Sequence, residues 1–425
     1  MMTRLLFCLC KAIAVCAGLA GPAAAQVPGP LELIQARDFD GARAALDAQN
    51  ASPLDRRFAE ALIAQSTGDR LRAIAELREI LRVRPDLVAP RRILASLLAQ
   101  TGQYGAAEFQ YRQLVELDPN TDNRSAYNRA LRTLFARKPF GFTASGAIVP
   151  STNINRGTAT EIFPTDFGDF IIDEDNLGQT GIGLSLDLGV FRRFELPGGR
   201  RLQLDAKTAL IVYDKAQFNQ HSFTLRATLS DARDGKSYSV APEISRAYLA
   251  GERYYDRVAL ALARGWTLNP KTALILRAQG EYRDYTTSDS LTGPRYELGA
   301  EVRRRLDPRT SLTGSLAYKI GNTESPAFQY DGIELGVRAN RAFENGIQLG
   351  LGLSYETRPY RGDFTGLTFA RQDNITALDV SVFNDKWTFQ GAAPTYSCKL
   401  TWAQSNVAFY DYTVQECSIG FTRNF

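Results

Sequence analysis

Residues 412–425 read Tyr-Thr-Val-Gln-Glu-Cys-Ser-Ile-Gly-Phe-Thr-Arg-Asn-Phe, and the spacing of their apolar side chains decides how the rest is read. Counting back by twos from Phe425 passes Arg423, Phe421, Ile419 and Cys417. The interleaved set is Asn424, Thr422, Gly420, Ser418 and Glu416. A period of two puts one set on each face of a β-strand. The aromatic at the end predicts a strand that stops at an interface. An edge strand of a sandwich has the same local pattern, so the choice between an open and a closed sheet rests on the upstream sequence.

Upstream the same period recurs. Fourteen alternating segments start near residues 140, 179, 200, 220, 236, 254, 271, 295, 309, 330, 347, 371, 387 and 410. Their length suits tilted membrane-crossing strands. Tight turns (Asp234-Gly235, Asn269-Pro270, Asp307-Pro308, Asn345-Gly346) swap with longer loops at 150–178, 285–294, 321–329 and 360–370. Loops sorted by length onto two rims, with an even strand count, predict a closed transmembrane barrel of about 14 antiparallel strands rather than a sandwich. Hydrophobic residues make up 44% of the chain, yet the mean hydropathy is −0.23, as expected when apolar residues alternate with polar ones. Only the N-terminus has a long apolar run, which excludes a helical membrane bundle. A formal charge of +4 gives no reason to expect a nucleic-acid partner. The polar faces carry both signs: Arg277, Glu281, Arg283, Glu297, Glu301, Arg303, Arg305, Lys319, Glu334 and Arg338 are the candidate lumen-facing residues.

The N-terminus has the form of an export signal. Arg4 and Lys11 flank an apolar core, and Ala23-Ala24-Ala25 offers a small-x-small site for cleavage after Ala25. Cleavage removes Cys8, Cys10 and Cys16 and leaves Cys398 and Cys417. In the strand reading these two project from the same face of neighbouring strands. In an oxidising compartment a cross-strand disulfide is then favoured over two inert thiols. The single histidine, His221, supplies no metal ligand set, and no constellation of residues supports catalysis or a cofactor site.

Residues 31–136 are helical in pattern and repetitive. Gly68 and Gly102, Ala73 and Ala107, and Pro85 and Pro119 are each separated by thirty-four residues, the tetratricopeptide period. The units run over 54–87 and 88–121. Ala61 and Ala95 fall at the small positions, Leu77 and Tyr111 at the large ones. A shorter unit is expected upstream around Arg37-Asp38-Phe39-Asp40-Gly41-Ala42, and a capping helix downstream carrying Leu131, Leu134 and Phe135. Such arrays leave a concave groove for a protein partner. The expected plan is a signal peptide over 1–25, an all-α tetratricopeptide-like solenoid over 26–137 and an all-β barrel over 138–425.

This combination resembles the surface lipoprotein assembly modifier family of bacterial outer-membrane proteins. Residues 149–158 (Val-Pro-Ser-Thr-Asn-Ile-Asn-Arg-Gly-Thr) are similar to its Asn-x-Asn segment after the first strand, through Asn153 and Asn155. Residues 405–412 (Ser-Asn-Val-Ala-Phe-Tyr-Asp-Tyr) are similar to its last hairpin turn, through Ser405 and Asn406, and residues 421–425 to its closing strand. The resemblance assigns none of these four residues a role. It implies an outer-membrane translocator that delivers client lipoproteins or related secreted binding proteins to the cell surface. The helical domain would engage the client in the periplasm, with periplasmic chaperones as further candidate partners, and the barrel would form or assist the passage. It implies no enzyme activity, cofactor or nucleotide. The rival readings are an exopolysaccharide export porin with a tetratricopeptide adaptor and a simple diffusion pore.

Overall fold

The computed structural model describes residues 28–424 apart from 119, 138, 234, 344–346 and 385–392. The expected signal segment with its cleavage site after Ala25, Pro119, the Asn345-Gly346 turn and Phe425 lie outside the described residues. Among the described residues the chain forms seven α-helices followed by sixteen strands, fourteen of them in one closed barrel. No described helix is long and apolar enough to cross a membrane.

The helices are α1 (Pro30–Gln35), α2 (Phe39–Ala48), α3 (Pro53–Thr67), α4 (Arg70–Val83), α5 (Val88–Gln100), α6 (Tyr104–Leu117) and α7 (Thr121–Arg137). Local chemistry sets their ends. The Ser52 hydroxyl accepts from the Asp55 amide at 3.2 Å, with Pro53 in the first turn of α3. The Asp69 carboxylate accepts from the Arg72 amide at 3.0 Å to start α4. Gly68 and Gly102 sit at φ 88° and 77°, the left-handed region where a side chain is strained, which is why glycine stands at both repeat turns. The repeat spacing brings Ala61, Ala73, Leu77, Leu94, Leu98 and Ala107 into one core, each 3% exposed or less. Small side chains here let neighbouring helices approach. Helix α7 closes the stack with Leu131, Leu134 and Tyr127.

Strand β1 spans Phe140–Ser151. A short hairpin of β2 (Ile162–Thr165) and β3 (Gly168–Ile171) interrupts the long first loop, which the sequence pattern does not foretell. Then come β4 (Gly181–Glu195), β5 (Arg201–Val212), β6 (Gln220–Arg233), β7 (Lys236–Leu249), β8 (Glu252–Asn269) and β9 (Thr272–Tyr285). The remainder are β10 (Gly293–Arg305), β11 (Thr310–Gly321), β12 (Tyr330–Ala342), β13 (Ile347–Asp363), β14 (Ala370–Asn384), β15 (Ala393–Ser405) and β16 (Tyr412–Asn424). Except for the hairpin, each strand pairs antiparallel with its neighbours in sequence, and β16 returns to β1, with Gly146 opposite Phe421 and Ile148 opposite Ile419. Closure leaves the sheet no unpaired edge, which is the condition for β structure in a bilayer.

The alternation read in the sequence becomes two surfaces. Ile182, Val258 and Leu298 point outward with more than 60% of their surface uncovered, in rows continued by Leu184, Leu335, Leu353 and Ile419. So large a continuous apolar belt is covered by lipid, not water. One segment differs in extent from the sequence reading: strand β13 continues to Asp363, shortening the loop expected at 360–370. The strand start expected near 387 lies outside the described residues.

Candidate functional site

The inward faces of β6 to β14 carry several groups of ion pairs that reach across neighbouring strands. Glu281 accepts from Arg257 at 2.6 Å and pairs with Arg283 at 2.7 Å. Arg257 also pairs with Glu243, which in turn holds Arg226. Glu301 joins Arg277 at 2.7 Å and Arg303 at 3.0 Å. Lys319 bridges Glu334 at 2.5 Å and Glu356 at 3.0 Å, and Arg358 holds Glu356 at 2.6 Å. Arg338 pairs with Asp379 and donates to the Ser381 hydroxyl at 2.9 Å. Glu297 stands between Gln279 and Lys319 in the register, and Arg305 lies at the turn end of the lumen. The structure thus gathers the ten residues singled out in the sequence onto one inner surface. It adds Arg226, Glu243, Arg257, Glu356, Arg358 and Asp379, which the same parity rule reaches once each strand is placed. A wall of alternating charges holds water and shows no bias toward a polymer of one charge.

Towards the loop end the lumen is lined by stacked arginines and tyrosines. The Arg371 guanidinium lies 4.0 Å from the ring centre of Tyr360 and 3.5 Å from that of Tyr410, and pairs with the buried Asp373 at 2.9 Å. Arg358 covers Tyr330 at 4.9 Å and Arg295 covers Tyr285 at 5.6 Å. Together they border a cavity of about 500 Å³. Above it Phe163 from the β2–β3 hairpin meets Phe364 and Phe409, and Phe364 meets Phe328 and Tyr410. Four loops therefore share one aromatic cluster.

The four motif residues tie these loops down. The buried Asn153 amide accepts from Gly157 N at 2.9 Å and donates to Gly157 O at 2.8 Å and Thr413 O at 3.4 Å, linking the first loop to β16. Asn155 accepts from Gln179 N at 3.0 Å and donates to Leu177 O at 2.7 Å. Asn406 accepts from Gln372 N at 2.7 Å and donates to Ala370 O at 2.9 Å, fastening the last hairpin to β14, while the Ser405 hydroxyl accepts from Val407 N at 3.2 Å.

At the turn end the contacts between the helical domain and the barrel include two polar links. Glu108 of α6 pairs with Arg193 of β4 at 3.2 Å. Arg309, in the turn from β10 to β11, donates to the Val83 carbonyl at the end of α4. In the ring order these contacts are six strands apart out of fourteen, nearly opposite one another, so the helices span the mouth. Between them lies a cavity of about 610 Å³ bordered by Gln113 of α6 and by Lys271, Arg303, Arg305 and Arg309 of the barrel. Arg91 of α5 is buried here and donates to the Gln110 side-chain oxygen at 2.6 Å. Burial, followed by the nearby Arg305 charge, lowers its pKa to about 10.

Cys398 and Cys417 face each other across β15 and β16, their Cα atoms 4.0 Å apart, and the structure joins them as a disulfide on the outer wall, with Val380 opposite on the other side. His221 also belongs to the outer wall, its Nε2 2.9 Å from the Thr208 hydroxyl and its ring against Phe223 and Tyr248.

A closed fourteen-strand barrel with an apolar belt, a charged interior and a helical-repeat domain across one mouth defines an outer-membrane β-barrel protein. The family profile described as "Surface lipoprotein assembly modifier" matches residues 141–425, and a tetratricopeptide repeat profile matches residues 93–121. The chain belongs to the surface lipoprotein assembly modifier family. A curated relative of that description from Moraxella catarrhalis is 26% identical over 219 residues, covering 50% of this chain and 41% of the relative. The match thus spans about two-fifths of the relative's length. Among solved structures, the anion-selective porin from Comamonas acidovorans has a TM-score of 0.40 at 7% identity, covering 67% of this chain and 98% of that one. A bacterial polysaccharide outer membrane secretin has a TM-score of 0.37 at 13% identity, covering 66% and 98%. Both likenesses are too loose to bear on function.

Proposed function

We propose that this protein delivers client lipoproteins, or related secreted binding proteins, across the outer membrane to the cell surface. The helical domain lies on the periplasmic side and engages the client, and the barrel forms or assists the passage. Beside the family membership, the observation that carries this reading is the placement of the helices. Pinned at Glu108–Arg193 and at Arg309–Val83 on opposite sides of the mouth, they put any polypeptide held by the repeat groove next to the lumen entrance. A wall with charges of both signs accommodates a polypeptide of mixed charge. The work required is binding and transfer, without bond chemistry.

The test is deletion of the gene in its own host, with intact cells probed for surface lipoproteins by antibody or protease accessibility. Loss of display of at least one lipoprotein, restored by the gene, is the expected result. Unchanged display of every surface lipoprotein with loss of a capsule or matrix polymer overturns it in favour of polysaccharide export.

A further inference from the structure

The outer wall differs between its two rims. At the loop end its arginines are neutralised within the protein: Arg246 pairs with Asp256 at 2.6 Å, Arg253 with Asp256 and Asp284 at 2.9 and 3.0 Å, and Arg361 with Asp331 at 2.8 Å. At the turn end four outward arginines recur on every second strand or so: Arg192 on β4, Arg264 on β8, Arg304 on β10 and Arg341 on β12. All four are exposed, and none has a carboxylate at ion-pair distance among the described residues.

Each occupies the same place in its strand. Two residues before it, on the same face, is an apolar member of the belt (Val190, Leu262, Val302, Ala339). Two residues after it is another apolar side chain (Phe194, Trp266, Leu306, Phe343). In three of the four the guanidinium lies over that following ring, at 5.1 Å for Arg192, 5.5 Å for Arg264 and 5.5 Å for Arg341. Stacking holds the planar group at the edge of the hydrocarbon and leaves its donors directed at whatever lies beside the wall. Lys236 adds a further positive charge. Asp231 is engaged by Arg233 at 3.0 Å, and Asp307 by the Arg309 amide at 2.8 Å, with Arg341 near enough for its charge to act on Asp307 without an ion pair.

We propose that this arginine rim is a binding site for the phosphate of anionic phospholipid in the membrane leaflet on the turn side, which is the periplasmic leaflet under the reading above. The partner is a lipid rather than a soluble anion because the donors sit directly below an apolar belt that takes the acyl chains. It is anionic because a zwitterionic headgroup leaves the rim's excess charge uncompensated. Guanidinium forks match phosphate oxygens bidentately. The rim marks the orientation of the barrel and gathers negatively charged lipid around the mouth that the helices span.

Trp266 beside Arg264 supplies the probe. The full chain, with Trp387 and Trp402 replaced by Phe, is reconstituted in phosphatidylcholine vesicles holding a minor fraction of phosphatidylglycerol. One or the other lipid carries brominated chains, which quench tryptophan on contact. Brominated phosphatidylglycerol is expected to quench Trp266 about fivefold beyond its share of the bilayer, the factor for one basic residue at an anionic surface. Arg264→Gln lowers quenching towards that share, the remainder being due to Lys236 opposite Trp266, whereas Arg246→Gln at the other rim leaves it unchanged. Quenching in simple proportion to composition, or unaltered by Arg264→Gln, overturns the proposal. A second variant leaves Arg264 beside Trp266 and replaces Arg192, Arg304 and Arg341 by Gln. The phosphatidylglycerol that co-purifies with it must fall severalfold; equal retention also overturns the site. No client takes part, so failure here leaves the delivery function standing.

Discussion

Replacing Arg257 by Met should weaken the barrel more than any exposed charge would. Arg257 is 16% exposed and sits between Glu243 and Glu281, whose side chains are 7% and 6% exposed. Met keeps the length and apolar stem but removes the shared cation, so two buried carboxylates lose a partner at once. Removing one member of a buried pair costs about 3–5 kcal/mol. Glu243 retains Arg226, and Glu281 retains Arg283 and a hydrogen bond from Gln279 at 3.1 Å, which places the loss near the lower bound, about 3 kcal/mol. That is roughly a hundredfold in the folding equilibrium. The assay is urea unfolding of the barrel in lipid vesicles, followed by its heat-modifiable gel shift, with Arg303→Met as the exposed comparison. Arg303 is 57% exposed and, among the described residues, pairs with Glu301 alone, so its loss should cost less than about 1 kcal/mol. Equal midpoints for the two variants would refute the idea that the lumen wall is held by desolvated ion pairs.

Thiol labelling of the purified protein without reductant should add no mass, because Cys398 and Cys417 are joined; two added labels would disprove the bond. Removing it with Cys→Ser at both positions should lower stability by about 3 kcal/mol through the loop it closes, read from the same unfolding assay. Glu108→Arg should repel Arg193 and loosen the helices from the barrel, seen as faster proteolysis near α6. Adding Arg193→Glu should restore protection. The Tyr127 hydroxyl donates to the buried Asp118 at 2.7 Å. Burial and this bond raise the Tyr127 pKa to about 12. For Asp118, burial acts upward, but the bonds from Tyr127, Asn120 and Asn123 prevail and keep its pKa below the usual carboxylate value. The acid contribution is complete above about pH 4 and is lost as pH falls through the depressed Asp118 value. The tyrosine contribution is complete below about pH 10 and is lost as pH rises through about 12. The protection of α7 amides, relative to their intrinsic exchange rate at each pH, should therefore fall at both extremes, and Tyr127→Phe should remove the alkaline loss.

Much of the architecture is legible without coordinates because period two and period thirty-four are written residue by residue. Side-chain alternation in 412–425, in Leu349, Leu351 and Leu353, and in Arg277, Gln279 and Glu281 already separates a lipid face from a water face. Gly68 and Gly102 mark the repeat turns because only glycine meets their backbone geometry without strain. Which charges meet is another matter. Arg257 reaches Glu243 on one neighbour and Glu281 on the other only after the register of three strands is set, and a shift by one residue would send it to the lipid. The hydrogen bonds of Asn153 and Asn406 and the sandwich of Arg371 between Tyr360 and Tyr410 join segments far apart in sequence. The same holds for the bridging of the mouth by Glu108 and Arg309. Periodicity is a property of neighbours along the chain, so the sequence by itself determined the barrel, its two faces and the helical repeat. Contacts between distant segments depend on closure of the ring and on where the helices rest, and those the tertiary structure alone decided.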